Sequence, residues 1–335
     1  MGSEVSDLLI AILIFLVSAG VVVYCGTKLA VYGDALAELT GLGRLFVGSI
    51  LVALATSLPE LSTNISAVSL NPPNPAIAIG NVFGANMINL FTFGAVALVF
   101  GGSRFLSNVS VEQKYLVFIA ILMTVVGLLF ISVPLNAGAF NIGLPAGIIL
   151  IMYVLGMWFI YKKKPDDENS ESDEIQTTLT LTKAWLLFGV VSVGVVVGGI
   201  FLAISTDQIA DITGISSGVL GIIAVSIVTT MPEASATIAA ARMKAYDLGV
   251  AGLFGSCVFN VTIIGYADIF YRDGIITTQG EPAHQIAGLV AVGLMLIGLA
   301  VILGKNKLPK PVLTAGVAAI VVVYLVGAVL VATNG

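Results

Sequence analysis

Ala55-Thr56-Ser57-Leu58-Pro59-Glu60-Leu61-Ser62-Thr63-Asn64-Ile65 lies inside an apolar run long enough to cross a bilayer. A carboxylate is anomalous there. An ionisable group at the bilayer centre costs at least ~2.5 kcal/mol, so an acidic residue inside a span marks a functional site by default. Pro59 adds to the anomaly, because proline removes a backbone donor and clashes with the carbonyl four residues back, freeing main-chain oxygen beside Glu60. Thr56 and Ser57 precede the glutamate by about one turn. The stretch is a compact set of hard oxygen donors where such donors are otherwise scarce.

The set occurs twice. Residues 226–237 read Ser-Ile-Val-Thr-Thr-Met-Pro-Glu-Ala-Ser-Ala-Thr, so Thr229, Thr230, Pro232 and Glu233 repeat Thr56, Ser57, Pro59 and Glu60 at identical spacing, 173 residues later. A second matched segment follows each glutamate: Gly-Asn-Val-Phe-Gly-Ala-Asn-Met-Ile-Asn at 80–89 and Ala-Gly-Leu-Phe-Gly-Ser-Cys-Val-Phe-Asn at 251–260. Phe83, Gly84 and Asn89 thereby pair with Phe254, Gly255 and Asn260. Duplicated halves with proline-interrupted segments at corresponding positions are the best sequence pointer to a transporter binding site.

With 58% hydrophobic and 10% charged residues, the chain reads as an all-α integral membrane protein. A spanning helix needs roughly 20 mostly apolar residues. The apolar runs place ten spans, near 7–27, 43–70, 75–100, 112–133, 139–161, 181–205, 214–241, 247–270, 284–304 and 311–332. Residues 1–161 then form a first five-helix repeat, 162–180 an acidic linker, and 181–335 a second five-helix repeat. An odd number of spans per repeat makes the second copy enter with opposite polarity, so the repeats are expected to be inverted, and Glu60 and Glu233 to converge on one midplane site.

Lys and Arg test this count. Lys28, Arg44, Arg104, Lys114, Lys162, Lys163, Lys164, Lys183, Arg242, Lys244, Lys305, Lys307 and Lys310 all fall in or beside loops on one side, and Arg272 alone falls on the other. The positive-inside rule therefore places the chain in the plasma membrane with both termini outside and the linker in the cytoplasm. Met1 to Asp7 lacks a basic n-region, and the first apolar run reads as a retained span, not a cleaved signal. Pro-Pro-Asn-Pro at 72–75 reads as a tight turn, and the acidic linker as a solvated tether. Cys25 and Cys257 occupy separate spans, which indicates neither a disulfide framework nor a metal cluster. His284, at an outer span end, is expected to be interfacial and without a role.

No Lys, Arg or His sits deep in a span to neutralise the glutamates, and two converging carboxylates repel unless a cation lies between them. Ca²⁺ takes six to eight oxygens, and Glu60, Glu233, the hydroxyls of Thr56 and Thr229, and carbonyls freed by Pro59 and Pro232 supply that kind of shell, with Asn89 and Asn260 adding amide oxygens. Small residues around Gly80, Gly84 and Gly255 serve helix packing and bring those amides within reach.

The paired Thr-Ser-Leu-Pro-Glu and Thr-Thr-Met-Pro-Glu segments, each followed by a Gly-rich stretch ending in Asn, resemble the α-repeats of the sodium/calcium exchanger family, within the cation/Ca²⁺ exchanger superfamily. The resemblance covers the whole chain. It implies Glu60 and Glu233 as shared Ca²⁺ and Na⁺ ligands with Thr56 and Thr229 beside them. It also implies that Ser57, Thr230 and the carbonyls of Ala53 and Ser226 form flanking Na⁺ positions, with Asn89 and Asn260 at the middle position. The chain departs from the family at Ala85, where a Ser is usual and where Ser256 keeps the hydroxyl in the second half, and at Asn260, where many members carry Asp.

The expected function is therefore a secondary antiporter exchanging Ca²⁺ for Na⁺ by alternating access, with H⁺-coupled exchange as the alternative and a channel further behind. A channel would more naturally show a pore-lining ring or filter. An enzyme is not expected, because no nucleophile with a base lies in the spans. No cofactor is expected beyond the transported ions, and the partners are the lipid bilayer, Ca²⁺ and Na⁺, with no nucleic acid or protein indicated.

Overall fold

The computed structural model describes residues 2–69, 73–139, 142–162, 178–213 and 226–334. In chain order its helices are α1 (Gly2–Thr40), α2 (Gly43–Thr56), α3 (Leu58–Ser69), α4 (Pro75–Val99), the short α5 (Ser103–Ser107), α6 (Gln113–Ser132), α7 (Leu144–Lys162), α8 (Leu181–Thr213), α9 (Ser226–Thr229), α10 (Met231–Arg242), α11 (Tyr246–Phe270), α12 (Pro282–Gly304) and α13 (Lys310–Asn334). Two antiparallel two-residue strands, β1 (Gly138–Ala139) and β2 (Ile142–Gly143), form a small hairpin that the apolar pattern does not foretell. Among the described residues eight helices are long and apolar enough to cross a membrane, and α2 with α3 makes a ninth, bent by 43°. The expected span 214–241 corresponds to α9 and α10, and its first part, 214–225, lies outside the described residues, as does most of the linker, 163–177.

The helices sort into centre and rim. The most apolar stretch of α11 is entirely buried and that of α4 is 78% buried, whereas the same measure is 22% for α1, which places α4 and α11 inside and α1 at the rim. Lipid tails are as apolar as leucine, so central helices associate through close backbone approach at small residues. Gly255 of α11 shows how close: a Cβ there would lie 2.5 Å from the Ser49 carbonyl oxygen of α2.

The two halves exchange their first helices. Gly26 of α1 is seated on the second half, where a Cβ would meet Ser235 and, at 2.9 Å, the Pro232 carbonyl of α10; Gly199 of α8 is seated on the first half, where a Cβ would lie 2.5 Å from Pro59 Cγ of α3. These two glycines are 173 residues apart, the spacing that also separates Glu60 from Glu233. Each first helix thus lies across the break in the other half's functional helix.

Two expectations are corrected here. The first span does not stop near residue 27: α1 continues to Thr40, because Leu29, Ala30, Leu36 and Ala37 keep one face buried while Asp34 pairs with Arg44 (Nε to Oδ1 2.5 Å, Nη2 to Oδ2 3.2 Å). Lys28 therefore belongs to a helix and not to a loop. His284 is not interfacial, being wholly buried at the start of α12, where its Nδ1 accepts the Glu281 N–H at 3.0 Å in a reciprocal cap.

The basic residues collect at one end. There Ser110 N–H and Gln113 Nε2 donate to Asp247 Oδ1 (2.7 and 3.1 Å), Lys305 Nζ donates to the Val109 carbonyl, and Phe46 stacks edge-on against Tyr161, next to Lys162. At the other end, which carries Arg272, the buried Asp268 accepts Gly143 N–H at 2.6 Å and Ile276 N–H at 2.7 Å, tying the hairpin to the turn at Ile276–Gln279. At that end too, Asn74 donates its N–H to the Ala67 carbonyl (2.8 Å), accepts Ile77 N–H (3.2 Å) and starts α4 with Pro75 in its first turn, which carries out the reversal read from the proline cluster.

Candidate functional site

The site begins with a backbone irregularity that the sequence places twice. A six-residue π-helical stretch, Val47–Val52, runs into Ala53–Thr56, and the chain breaks at Ser57 (φ −90°, ψ 5°) before α3 starts with Pro59 and Glu60 in its first turn. In the second half Thr230 adopts φ −84°, ψ 3° before α10 starts with Pro232 and Glu233. The hydrogen bonds match across the halves: Ser57 N–H to Ala53 O at 3.0 Å and Leu61 N–H to Ser57 O at 3.1 Å, against Thr230 N–H to Ser226 O and Ala234 N–H to Thr230 O, both 3.1 Å. π-Turns and single-residue breaks of this kind concentrate at functional sites. Each glutamate follows a break in the first turn of a helix, where the N-terminal end of the macrodipole favours negative charge.

All eleven residues singled out from the sequence (Glu60, Glu233, Thr56, Thr229, Asn89, Asn260, Ser57, Thr230, Ser256, Ala53 and Ser226) are buried. Several are joined across the halves. Ser57 Oγ donates to Glu233 Oε1 at 2.9 Å, Ser256 Oγ donates to the same oxygen at 3.3 Å, and Thr56 Oγ1 lies 3.4 Å from Ser256 Oγ. Glu233 and Thr229 are neighbours of Glu60 within electrostatic reach, the Thr229 hydroxyl standing beside that carboxylate without reaching hydrogen-bond geometry. Asn89 lies beside the Cys257 thiol, and both cysteines are free.

What the site leaves unsatisfied is its most informative property. Both oxygens of Glu60, Oε2 of Glu233, Oδ1 of Asn89, Oδ1 of Asn260 and Oγ1 of Thr229 are buried without a hydrogen-bond partner among the described residues. Buried polar atoms are normally paired, and an isolated buried carboxylate is far more costly than a neutral group. These six oxygens belong to five residues that the repeated motif had already marked. Six is also the lower limit of a Ca²⁺ shell. No cluster of three or more His, Cys, Asp or Glu that could hold a metal is present among the described residues, so the formal charge of such a shell is set by two carboxylates and the rest is neutral oxygen.

The halves are not equivalent in detail. Glu233 receives two hydroxyl donors whereas Glu60 receives none, and Ala85, the counterpart of Ser256, is fully buried with no hydroxyl to offer. The carbonyls of Ala53 and Ser226 are already engaged: Ala53 O accepts Ser57 N–H and Thr56 Oγ1 (3.2 Å), and Ser226 O accepts Thr230 N–H and Thr230 Oγ1 (2.7 Å). An ion held by either carbonyl must share or displace those donors.

The structure adds three asparagines that sequence reading passed over. Asn81 Nδ2 donates to Asn64 Oδ1 at 2.9 Å and Asn81 Oδ1 accepts from Ser226 Oγ at 3.2 Å, which ties α3 and α4 to α9. Asn86 Nδ2 donates to the Cys257 carbonyl at 3.3 Å and Asn86 Oδ1 accepts from Asn260 Nδ2 at 3.1 Å, leaving the Asn260 oxygen as its free end. The signal was present in the sequence: each is an amide interrupting an apolar run, Asn64 one turn beyond Glu60 and Asn86 one turn before Asn89. Beside the hydroxyl-rich side of Glu233, a cavity of about 10 Å³ is bounded by Ala30, Thr56, Thr237 and Gly252, which is room for roughly one water.

Comparison with known proteins agrees with this architecture. A family model described as "Sodium/calcium exchanger protein" matches residues 10–162 and 183–333. The inner membrane protein YrbG of Escherichia coli (strain K12) is 26% identical over 268 residues, covering 77% of this chain and 78% of its own. The sodium-calcium exchanger NCX_Mj soaked with Na⁺ and no Ca²⁺ superposes with a TM-score of 0.69 at 18% identity, covering 95% of this chain and 98% of that one. The same exchanger soaked with Na⁺ and Sr²⁺ gives 0.70 over the same shares, also at 18% identity. At such identities the structural likeness is one of fold.

Proposed function

The chain belongs to the sodium/calcium exchanger protein family, and on that footing we propose that it is an antiporter that exchanges Ca²⁺ for Na⁺ at the site between α3 and α10. One observation carries the proposal: six buried oxygens from Glu60, Glu233, Asn89, Asn260 and Thr229 lack partners within the protein. A pair of carboxylates gives a formal charge of −2, which one Ca²⁺ neutralises and which two monovalent cations neutralise equally well. Exchange follows from that equivalence, since a site neutral in either loaded form crosses the apolar barrier far more cheaply than an empty one of charge −2.

Na⁺ as the coupling ion is supported by the hydroxyls. Thr56, Ser57, Thr230 and Ser256 line the carboxylates, and replacing the water shell of Na⁺ requires neutral oxygens, whereas carrying protons requires the carboxylates alone. Alternating access is proposed as movement of one inverted half's arm against the other across the loaded site, the first helices α1 and α8 lying over Pro232 and Pro59. The positive-inside rule orients the end bearing Arg44, Lys162 and Lys305 toward the cytoplasm. The deciding experiment is Ca²⁺ uptake into sealed proteoliposomes at equal pH on both sides, with Na⁺ or an inert cation inside. Uptake is expected only with Na⁺ inside, and uptake driven by an acidic interior but indifferent to Na⁺ establishes proton coupling instead.

A further inference from the structure

At the basic end of the molecule, a second cavity of about 540 Å³ opens between α6, α7 and α12, remote from the glutamates. Its walls are Phe118, Ile119, Leu122, Phe159, Leu299 and Leu303, and its mouth is marked by Lys114 beside Tyr115. Gly156 forms the floor: a Cβ there would lie 2.9 Å from Ile119 Cγ2, so α6 and α7 approach closely and the groove deepens where a larger residue would fill it. Phe118 (59% exposed), Leu122 (45%) and Leu303 (47%) face outward, on the surface that these apolar helices present to the bilayer. A concavity of this composition has nothing with which to hold water, and in hydrocarbon an acyl chain is what fills it. Its volume lies in the ~300–1,000 Å³ range of sites that bind small molecules.

The mouth is built for charge. The Lys114 ammonium lies 4.9 Å from the Tyr115 ring centroid and forms no ion pair among the described residues. Lys162, one turn beyond Phe159, rests 3.9 Å over the Trp158 ring. Lys305, two residues beyond Leu303, is held by the Val109 carbonyl with Asp247 and Glu112 nearby, which partly neutralise it and leave Lys114 as the cation bordering the groove. We propose that this groove binds one anionic phospholipid from the leaflet on the basic side, its acyl chain in the groove and its phosphate on Lys114. Basic pockets between membrane helices recognise anionic headgroups by this combination of charge and apolar depth.

The test is native mass spectrometry of the full chain released from micelles and titrated with either phosphatidylglycerol or phosphatidylcholine of identical acyl chains. Wild type is expected to retain one phosphatidylglycerol with an affinity about fivefold above that for phosphatidylcholine, the effect of one lysine near a phosphate. Lys114→Gln should abolish the preference while leaving weak retention of both lipids. Leu122→Trp, which fills the groove from its exposed side and so leaves the packing intact, should lose retention of both. Leu186→Trp, on the exposed face of α8 (66%), should behave as wild type and serves as the folding control. Equal retention of the two lipids by wild type, or an unchanged preference in Lys114→Gln, overturns the proposal, as does wild-type retention by Leu122→Trp.

Discussion

Glu60→Gln separates a transport ligand from a structural carboxylate, because the two roles predict opposite effects on stability. In the ion-free protein both Glu60 oxygens are buried without partners, so the charge contributes no internal hydrogen bond that the amide would forfeit. The variant should melt at the same temperature or higher without Ca²⁺, since a neutral amide is cheaper to bury than an isolated carboxylate. In the Ca²⁺-loaded protein the same change removes one partner of a buried ion pair, which costs about 3–5 kcal/mol. That corresponds to a loss of roughly two to three and a half orders of magnitude in Ca²⁺ affinity. Two measurements on one preparation decide it: Ca²⁺ uptake into Na⁺-loaded proteoliposomes, and thermal melting in detergent with and without Ca²⁺. Uptake should vanish at Ca²⁺ concentrations that saturate wild type, and the Ca²⁺-induced rise in melting temperature should vanish with it. Uptake within tenfold of wild type, or a clear drop in the ion-free melting temperature, refutes the assignment of Glu60 as a ligand.

Ser57→Ala combined with Ser256→Ala strips Glu233 Oε1 of both hydroxyl donors, at 2.9 and 3.3 Å, and should weaken apparent Na⁺ affinity in the same assay by about tenfold, on the scale of one charge-assisted hydrogen bond. Ala85→Ser supplies the hydroxyl missing from the first half and should strengthen Na⁺ dependence; a pair of flat responses would remove the hydroxyls from the sodium site. Gly199→Val places methyl groups where a Cβ already comes within 2.5 Å of Pro59, so transport should fall to near zero while Ca²⁺ binding persists, read by comparing uptake with equilibrium binding. Asp268→Asn loses the charge behind two bonds of 2.6 and 2.7 Å and should lower the melting temperature, at a cost of about 1.5–3 kcal/mol, without changing the ion dependence of transport.

Much of the site was legible because its residue types are expensive where they stand. A glutamate and a proline in the middle of an apolar span contradict their surroundings, and finding the contradiction twice at one spacing identified the duplication, the helix breaks at Ser57 and Thr230, and all five residues whose oxygens the fold leaves unpaired. Amides and glycines carry weaker signals. Asn64, Asn81 and Asn86 are affordable in a span whenever a partner is at hand, so nothing local distinguishes a networked asparagine from a free one. His284 was misplaced for the same reason, since its cap on Glu281 is made by folding and not by its position in an apolar run.

The sequence by itself determined that the chain is a membrane protein built of two related halves, because burial in lipid requires long apolar helices and duplication leaves matched letters. It also determined which end of the molecule carries the positive charge. Only the tertiary structure decided how the halves meet: that Gly26 and Gly199 let each first helix lie across the other half's broken helix, that Ser57 of one half serves Glu233 of the other, and that Glu60 is left with no hydroxyl donor at all. Those facts concern contacts between residues more than 170 positions apart. They depend on interhelical distances of a few ångströms, which hydropathy and motif spacing do not encode, because the pattern along one helix specifies a face and not the partner that the face will meet.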